Sequence, residues 1–495
     1  MAHPCPTGSG EVENSIEGAD TKGKGYKGPG KFAGKGPGPV KGGKGANPSW
    51  KEKAAAAAAE PFQKLRVASL PPGAITSPRW ETTFAVDFPA AGQTESVVFL
   101  ATLDGSYVLK TSQAPAQEYF ATRFIQKLGI PTPQMRIIFG KDAEHSKIRE
   151  ALMTVAGQND RRGNSEKAHR LLMRAHSSFI PTMPILLMSL VPSPIPLGSA
   201  SSSEVEAFLE VSKDRAAIPR LHAAGRCWLA DAVLGFRDRF ASPVTCKDYH
   251  KLRAMLKEHG PAILQEGPPP TLFDQYGLLQ GNADNLVLSD NCLVAIDNHV
   301  QHVKSACEAS SGMEPRAIAG TFAKVLEEAA ANGLLEPPAA SVEFFHHMVR
   351  QNTGYELTTA ALCEFRLGVL HALRDLGSVL AWAESFLAEL LEDAEATESK
   401  FWMDNVNSIN GEALQSLGAA LCETAAPYKD FLASLPDVPA PSPAVDTKAV
   451  DAKASEPQAS SEALAAAPEL WDALPPDVQA ALQREPPRPI PYAPR

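Results

Sequence analysis

Asn285 and Asp297 are the residues of this chain whose types and spacing point most directly to metal chemistry. They lie at the open end of a predicted β-hairpin within residues 281–298, GNADNLVLSDNCLVAIDN, whose central Ser-Asp-Asn is typical of a turn. Opposed residues of an antiparallel ladder lie about 5 Å apart, so we expect an amide oxygen and a carboxylate to face each other there. Mg²⁺ takes oxygen ligands, usually with one or two carboxylates from protein. The hairpin therefore predicts a magnesium site, and the alternative is an ordinary hairpin whose Asn and Asp are turn residues.

Lys110 and Glu118 form a second candidate set, suited to binding phosphate groups. An Asp-Gly pair predicts a tight turn between strands at 97–103 and 106–111, and Lys110 lies in the second strand among apolar residues. Glu118 follows in a predicted amphipathic helix, residues 114–128. A strand lysine held by a helix glutamate neutralises phosphate charge in kinases. Two opposite charges at this separation are also common without any such role.

Asp238 is the third candidate because it follows directly on a predicted helix, residues 220–235. The helix macrodipole disfavours an anion at the carboxyl end, and the neighbouring Arg237 and Arg239 can compensate the charge. A carboxylate kept at such a position is a candidate general base for a hydroxyl nucleophile. The alternative is a surface ion pair that contributes less than about 1 kcal/mol.

Composition limits the classes to which the protein can belong. The 495 residues are 44% hydrophobic and 21% charged, with a formal net charge of −10, which suits one large or two medium globular domains with tails. The seven cysteines are scattered without a C-x-x-C pair, which argues against a disulfide framework and a structural zinc site and favours a reducing compartment. Without a long apolar run or a signal-peptide pattern, we expect a cytoplasmic protein with no membrane association.

Both ends of the chain differ in composition from its centre. Residues 1–65 are predicted to be a disordered Gly/Lys-rich tail, with seven lysines and no acid between Thr21 and Trp50. Such a tail could adhere to an acidic partner such as actin or RNA, or simply be a solvated flexible segment. Its Gly23-x-Gly25-x-x-Gly28 has the glycine spacing of a dinucleotide-binding motif, but no predicted strand precedes it, as that motif requires. Residues 436–495 are predicted to be a Pro/Ala-rich disordered tail.

The elements between the tails give a specific order. Residues 80–198 read as two hairpin strands, a helix, a strand at 134–139, a mostly helical insert and a buried strand at 183–190. Residues 199–435 read as helices around the hairpin, with serines at 201–203 as candidate N-caps. The helices predicted after the hairpin span residues 315–332, 340–350, 357–376, 379–395 and 412–435. We therefore predict an α+β fold with two lobes, a small β-rich N-lobe and a mostly helical C-lobe, as in protein kinases.

The motifs VLK, QEYFATRFIQKLGIPTPQMRII, LADAVLGFRDRF and GNADNLVLSDNCLVAID occur in this order, and together they resemble the catalytic domain of actin-fragmin kinase. That family is atypical, protein-kinase-like, and distantly similar to phosphoinositide and HipA-type kinases. The resemblance covers about residues 80–390 and implies a role for each matching residue. Lys110 and Glu118 would be the phosphate-binding ion pair and Asp238 the catalytic base, while Asn285 and Asp297 would bind Mg²⁺. The backbone of Met188, Ser189 and Leu190 would meet adenine.

The sequence departs from ordinary protein kinases at several points. An insert at 241–280 separates Asp238 from Asn285, although the resembled family tolerates such an insert. Asp297 is followed by Asn-His instead of Phe-Gly, no Ala-Pro-Glu segment follows, and residues 90–94 are the only loop available to cover phosphates. Asn282 and Asp284 could compete with Asn285 as metal ligands. No kelch-like repeat is present to target a substrate.

The sequence therefore predicts an ATP- and Mg²⁺-dependent phosphotransferase that acts on Ser or Thr of a protein. The resemblance suggests actin, or an actin-capping complex, as the partner. Nucleic acid is expected at most weakly, through the basic tail. The alternatives are a catalytically inactive pseudokinase scaffold and a lipid or small-molecule kinase on the same fold, because a fold does not fix the acceptor.

Overall fold

The computed structural model describes residue 75 and residues 77–89, 96–191, 194–240, 254–255, 257–259, 282–289, 292–301, 315–334, 342–397 and 399–437. All of these residues belong to one compact unit. The predicted N-terminal tail, the predicted C-terminal tail beyond residue 437, the loop at 90–94 and nearly all of the 241–280 insert lie outside them. Among the helices in the described ranges, none has the length and apolar character that a membrane crossing needs.

The N-terminal lobe is built on a five-stranded antiparallel sheet with the order β1-β2-β3-β5-β4. Its strands are β1 (Ala85–Asp87), β2 (Val97–Thr102), β3 (Gly105–Thr111), β4 (Met135–Ile138) and β5 (Ile185–Ser189). The turn between β2 and β3 follows the predicted Asp-Gly pair, and Gly105 there has a φ of +152°. Strand β3 lies at the centre of the sheet, where Lys110 is opposite Val97 on one side and Leu186 on the other. Because β3 pairs with a strand on each side, the backbone of Lys110 is held by both neighbours.

Three helices complete this lobe: α1 (Pro115–Lys127), α2 (Ala143–Arg161) and α3 (Ser165–Ser177). Helix α1 starts with a proline, whose missing N–H and fixed φ suit the first helical turn. The α2–α3 pair forms the predicted helical insert, and it shares a buried apolar cluster with the sheet through Ile148, Leu152 and Leu171. Glu144 anchors the pair, because it accepts hydrogen bonds from Arg136 of β4 and from the indole N–H of Trp80.

The C-terminal lobe combines a small sheet with a helical bundle. Strand β6 (Ile195–Pro196) pairs with β7 (Leu286–Ser289), which pairs with β8 (Cys292–Ala295) in the predicted hairpin. The helices described in this lobe are α4 (Ser202–Leu209), α5 (Ala217–Leu234), α6 (Pro315–Asn332), α7 (Glu343–Thr353), α8 (Thr359–Thr397), α9 (Lys400–Ser408), α10 (Gly411–Ala425) and α11 (Lys429–Ala433). Ser201 caps α4 with a full capping box, as predicted.

The bundle is organised around the crossing of α5 and α8. A Cβ on Gly225 would lie 2.0 Å from the carbonyl oxygen of Phe365, and a Cβ on Gly368 would lie 2.3 Å from that of His222. The two backbones therefore touch where each helix has a glycine. Next to this crossing, Trp228 is fully buried among aromatic rings, with its centroid 4.5 Å from that of Phe344. This contact holds α5 rigid and so fixes the segment that follows it.

The predicted α+β fold with a β-rich N-lobe and a helical C-lobe is confirmed. Two details of the helical prediction were wrong. The predicted helices at 357–376 and 379–395 are one helix, because Gly377 and Ser378 continue it without a break. The predicted helix at 412–435 ends at Ala425, where Pro427 follows and a short 3₁₀ turn leads into α11.

Candidate functional site

Lys110 and Glu118 form a buried ion pair between β3 and α1. The Nζ atom of Lys110 lies 2.7 Å from Oε2 of Glu118, and each side chain is only 9% exposed. Glu118 is held from its other side as well, since it accepts a hydrogen bond from the hydroxyl of Ser112. The sheet fixes the lysine and the first turn of the helix fixes the glutamate. The predicted proximity of these two residues is therefore observed.

Asp297 completes this cluster from the other lobe. Its Oδ1 lies 2.5 Å from Nζ of Lys110, while 54% of its side chain is exposed. Among the described residues other than glycine, Asp297 is the one with a positive φ, 55°. A left-handed backbone costs an ordinary residue about 1 kcal/mol or more and tends to occur at functional sites. The turn at Asp297 thus aims its carboxylate at Lys110.

The predicted opposition of Asn285 and Asp297 was wrong by one residue. Leu286 pairs with Ala295, and the N–H of Ile296 donates to the carbonyl of Asn285 at 3.1 Å, so Asn285 is opposite Ile296. Strand β8 ends at Ala295, earlier than predicted, because the chain turns sharply at Asp297. The two residues still lie at the same end of the hairpin.

Asp238 follows α5 through a glycine turn. Gly235 takes the left-handed conformation with φ 68°, and the N–H of Phe236 donates to the carbonyl of Asp231 at 2.8 Å. This C-cap ends the helix and directs Asp238 towards the ion pair. The backbone carbonyl of Asp238 accepts from the N–H of Asn282 at 2.8 Å. Asp238 therefore lies next to Asn282, just before the hairpin, although 44 positions separate the two residues in the sequence.

Arg239 contacts both α5 and the segment around Asp297. It is 0% exposed and forms an ion pair with Asp231 of α5. Its Nη2 donates both to the carbonyl of Ile296 at 2.9 Å and to the side-chain oxygen of Asn298 at 2.5 Å. The Asp231 carboxylate holds the pKa of Arg239 above its usual range despite full burial. Arg239 thus fixes the residues on either side of Asp297, a role that its position beside Asp238 did not reveal in the sequence.

A cleft of about 460 Å³ brings the candidate residues together. It is lined by Lys110, Glu118, Phe236, Arg237, Asp238, Asp297, His299 and Gln301. Phe236, Arg237, His299 and Gln301 were not predicted as site residues. Gln301 reaches the cleft because its N–H donates to the carbonyl of Leu234 at the end of α5, a long-range contact without a local sequence signal. A cleft lined mainly by charged and polar groups suits a charged ligand.

Asn285 lies behind this cleft and is absent from its lining. The side chain is 4% exposed, its Oδ1 accepts from Nδ2 of Asn282 at 3.3 Å, and its own Nδ2 has no partner among the described residues. Asp284, the other competitor, points elsewhere, because its carboxylate accepts from the hydroxyl of Ser199 at 3.2 Å. The metal-binding role of Asn285 stays a prediction.

The predicted adenine-binding residues lie at the end of β5, and none of them lines the cleft. The N–H of Ser189 donates to the carbonyl of Gln134 at 2.9 Å, and the N–H of Leu190 donates to that of Ser106 at 3.1 Å. Met188 pairs with strands on both sides. Because these N–H groups are engaged within the sheet, an adenine contact there would have to use carbonyl groups, and this role too stays a prediction.

The charges in the cleft are set by the ion-pair cluster. Burial opposes the charged form of Lys110, but the carboxylates of Glu118 and Asp297 outweigh it and raise its pKa to about 12. Burial also opposes the charged form of Asp297, yet Lys110 holds the pKa of that carboxyl below its usual range. Burial lowers the pKa of His299. At neutral pH the cleft therefore presents the ammonium group of Lys110 beside the ionised carboxylate of Asp297.

These residues fit a magnesium nucleotide. The lysine can bind phosphate oxygens, and the half-exposed carboxylate of Asp297 can bind a hard cation. The cleft volume lies within the range of roughly 300–1,000 Å³ that is usual for small-molecule sites. Asp238 lines the same cleft.

Part of the chain matches a known protein family. Residues 61–193 match the family model described as actin-fragmin kinase, catalytic. No curated protein matches the chain. A crystal structure described as that of a candidate aminoglycoside phosphotransferase from Ralstonia eutropha JMP134 is 13% identical, covering 76% of this chain and 98% of its own, with a TM-score of 0.21.

The matched segment contains Lys110, Glu118 and the end of β5, but it stops before Asp238, Asn285 and Asp297. It spans the whole five-stranded sheet and α1. Kinase catalytic domains use a nucleotide, and their fold is that of protein-kinase-like phosphotransferases. The resemblance identified from the sequence is thus confirmed by the match of the N-terminal lobe to the actin-fragmin kinase catalytic family model.

Proposed function

We propose that this protein is an ATP- and Mg²⁺-dependent phosphotransferase that transfers the γ-phosphate to Ser or Thr of a protein. One observation carries the proposal: Lys110 bridges Glu118 of the N-lobe and Asp297 of the C-lobe in a cleft that Asp238 also lines. Residues far apart in sequence converge there as phosphoryl transfer requires, since that reaction depends on positioning and charge neutralisation more than on covalent chemistry.

Each residue would contribute one function. Lys110, held by Glu118, would bind phosphate oxygens. Asp297, with Asn285 behind it, would hold the metal ion. Bound Mg-ATP supplies the transferable phosphoryl group and the cation that offsets its charge. Asp238 would accept the proton of the acceptor hydroxyl, a contribution of typically 10²–10⁴-fold in rate.

Metal binding by Asp297 should weaken its contact with Lys110. A carboxylate that binds a metal ion shares less of its charge with an ammonium group, so this contact should lengthen when the nucleotide binds. The contact between Lys110 and Glu118 can persist. Glu118 is therefore the structural partner of the lysine, and Asp297 is the partner that metal binding would draw away.

Actin is the proposed protein acceptor, and this rests on the family match alone. The departure at Asn298-His299, where ordinary kinases have Phe-Gly, favours the alternative of a pseudokinase scaffold. The side chain of Asn298 has a structural role, because it accepts a hydrogen bond from Arg239 and donates one to the hydroxyl of Thr122 on α1. That contact links the cleft segment to the helix that carries Glu118, which supports a working site.

The experiment is transfer of labelled γ-phosphate from Mg-ATP to purified actin, to a cell lysate and to a lipid extract. Wild type is compared with Asp297→Ala. We expect label on protein that disappears in the variant and is recovered as phosphoserine or phosphothreonine. Label in the lipid fraction alone would favour a lipid kinase, and no label above the variant, with folded wild-type protein, would favour the scaffold.

A further inference from the structure

A second cavity, of about 330 Å³, lies against the face of α1 opposite Glu118. Phe120 and Phe124 of α1 form one wall, and they lie about 200° and 240° around the helix from Glu118 at 100° per residue. Leucines of α8 and α10 form the other wall, among them Leu387, Leu391 and Leu414. We name this space the α1 groove. Its walls are mostly apolar, while Glu384 and Glu412 line it and are exposed.

The segment that forms most of the walls of the α1 groove is acidic in sequence. Residues 381–412, which contain most of its walls, carry eight acidic side chains and one lysine. Of these, Glu384 of α8 and Glu412 of α10 line the groove itself and are exposed. An apolar groove with a rim of one sign is complementary to a segment that presents apolar residues on one face and the opposite charge on the other. The negative charge of the α1 groove therefore favours a basic binding partner.

Aromatic rings next to the groove already accept a cation. Nζ of Lys127 lies 5.8 Å from the centroid of Trp382. Trp382 stacks on Phe386 with centroids 4.9 Å apart, and Phe386 stacks on Phe120 at 6.0 Å. This row of rings runs from the surface into the groove wall. Lysine or arginine side chains of a bound segment would find the same kind of contact.

Occupation of the α1 groove would act on the helix that carries Glu118. The side chain of Gln117, adjacent to Glu118, donates to the hydroxyl of Ser408 at the end of α9. The groove lies between α1 and the α8–α10 bundle, beside this contact. A segment that fills it would pack α1 against the bundle and so hold Glu118 against Lys110.

We propose that the α1 groove binds a basic amphipathic helix of a partner protein, and that this binding raises phosphotransferase activity by fixing α1. The regulatory part rests on the proposed function, whereas the binding part does not. The partner is defined by its chemistry: leucine-like side chains spaced three and four residues apart, with lysine or arginine on the flanks.

Binding is tested with a fluorescein-labelled synthetic helix of roughly 18 residues, composed of leucine and lysine in amphipathic order. Anisotropy is measured with the full chain and without nucleotide. We expect the double variant Glu384→Lys/Glu412→Lys to bind about tenfold more weakly. The control Glu81→Lys/Glu343→Lys makes the same charge change at exposed sites outside the groove and should bind like wild type. A helix with glutamate in place of lysine should not bind.

Equal affinity of wild type and the groove variant, or equal binding of the glutamate helix, would overturn the proposal. Leu387→Ser removes an apolar wall contact as an independent check, with thermal unfolding to show that the variant is folded. Lys110→Ala should bind the helix normally, so loss of catalysis and loss of binding can be told apart. If wild type is active and saturating helix leaves its rate unchanged, the regulatory part is wrong.

Discussion

The side chains of Lys110 and Asp297 form an ion pair of 2.5 Å although 187 positions separate them in the chain. The pair joins the central strand of the N-lobe to the turn after β8. Because Lys110 also contacts Glu118 at 2.7 Å, one ammonium group connects the sheet, the helix α1 and the C-lobe. Both lobes therefore have to be correctly folded for the cleft to exist.

Replacement of Lys110 by methionine should abolish this connection. We expect phosphate transfer to fall by about 100-fold or more, since a phosphate-binding charge is lost and two carboxylates are left close together. A double-mutant cycle with Glu118→Gln should give a coupling free energy of roughly 1–3 kcal/mol in thermal or denaturant unfolding. Lys127→Met, at the exposed cation–π contact with Trp382, is the matched control. It should change neither the rate of phosphate transfer nor the free energy of unfolding. Additive effects of the two cleft substitutions would show that the pair is not coupled.

Arg239 should matter far more to stability than an exposed arginine. Arg239→Met breaks a fully buried pair with Asp231 and leaves that carboxylate uncompensated, which should lower the free energy of unfolding by about 3–5 kcal/mol. Arg79→Met breaks the pair with Asp104, whose side chains are 58% and 28% exposed, and should cost less than about 1 kcal/mol. Denaturant unfolding measures both, and similar losses would contradict the supporting role of Arg239.

The α5–α8 crossing should tolerate no added methyl group. Gly225→Ala would place a Cβ 2.0 Å from a carbonyl oxygen, so we expect a loss of several kcal/mol or failure to fold. Gly157→Ala is the control, because no atom lies within 4 Å of its Cβ position in α2. That substitution should stabilise the protein by roughly 0.4–1 kcal/mol. Thermal unfolding of the two variants, compared with wild type, checks the opposite signs.

Part of the pH dependence of stability should come from His371. Burial lowers its pKa to about 4, and its ring nitrogen lies 2.9 Å from the carbonyl oxygen of Pro436, to which the neutral ring can donate. The unfolded chain binds a proton near pH 6.5 and the folded chain does not, so stability falls as pH drops from about 6.5 to 4, by up to roughly 3 kcal/mol. His371→Gln keeps a donor and removes the titration. Its unfolding free energy should vary less over this range, and an unchanged pH profile would contradict the assignment.

Much of the fold follows from local sequence signals. The Asp-Gly turn, the amphipathic helix with Glu118 and the apolar strands around Lys110 have periodicity and turn chemistry that can be recognised one segment at a time. The same holds for the β7–β8 hairpin. The order of the motifs along the chain then predicted the two lobes, because a kinase-like cleft requires these motifs in that order.

Other features depended on contacts that local patterns do not contain. The hairpin register was misjudged by one residue because the left-handed turn at Asp297 shortens β8, and no glycine marks that turn. The roles of Arg239 and Gln301 come from hydrogen bonds to distant carbonyls, and a residue type alone does not indicate them. The length of α8 was underestimated because glycine and serine usually end or weaken helices, whereas tertiary packing carries this helix through them.

The most direct test of the central claim is release or transfer of the γ-phosphate from Mg-ATP, measured under single-turnover conditions with whatever acceptor is present. Asp238→Asn and Asp297→Asn are compared with Asp284→Asn, a neighbouring carboxylate that contacts Ser199 outside the cleft. We predict that the first two variants lose turnover by about 100-fold or more while the third keeps it. Equal turnover in all four proteins, or a loss in Asp284→Asn alone, would contradict the assignment of this cleft as the phosphotransferase site.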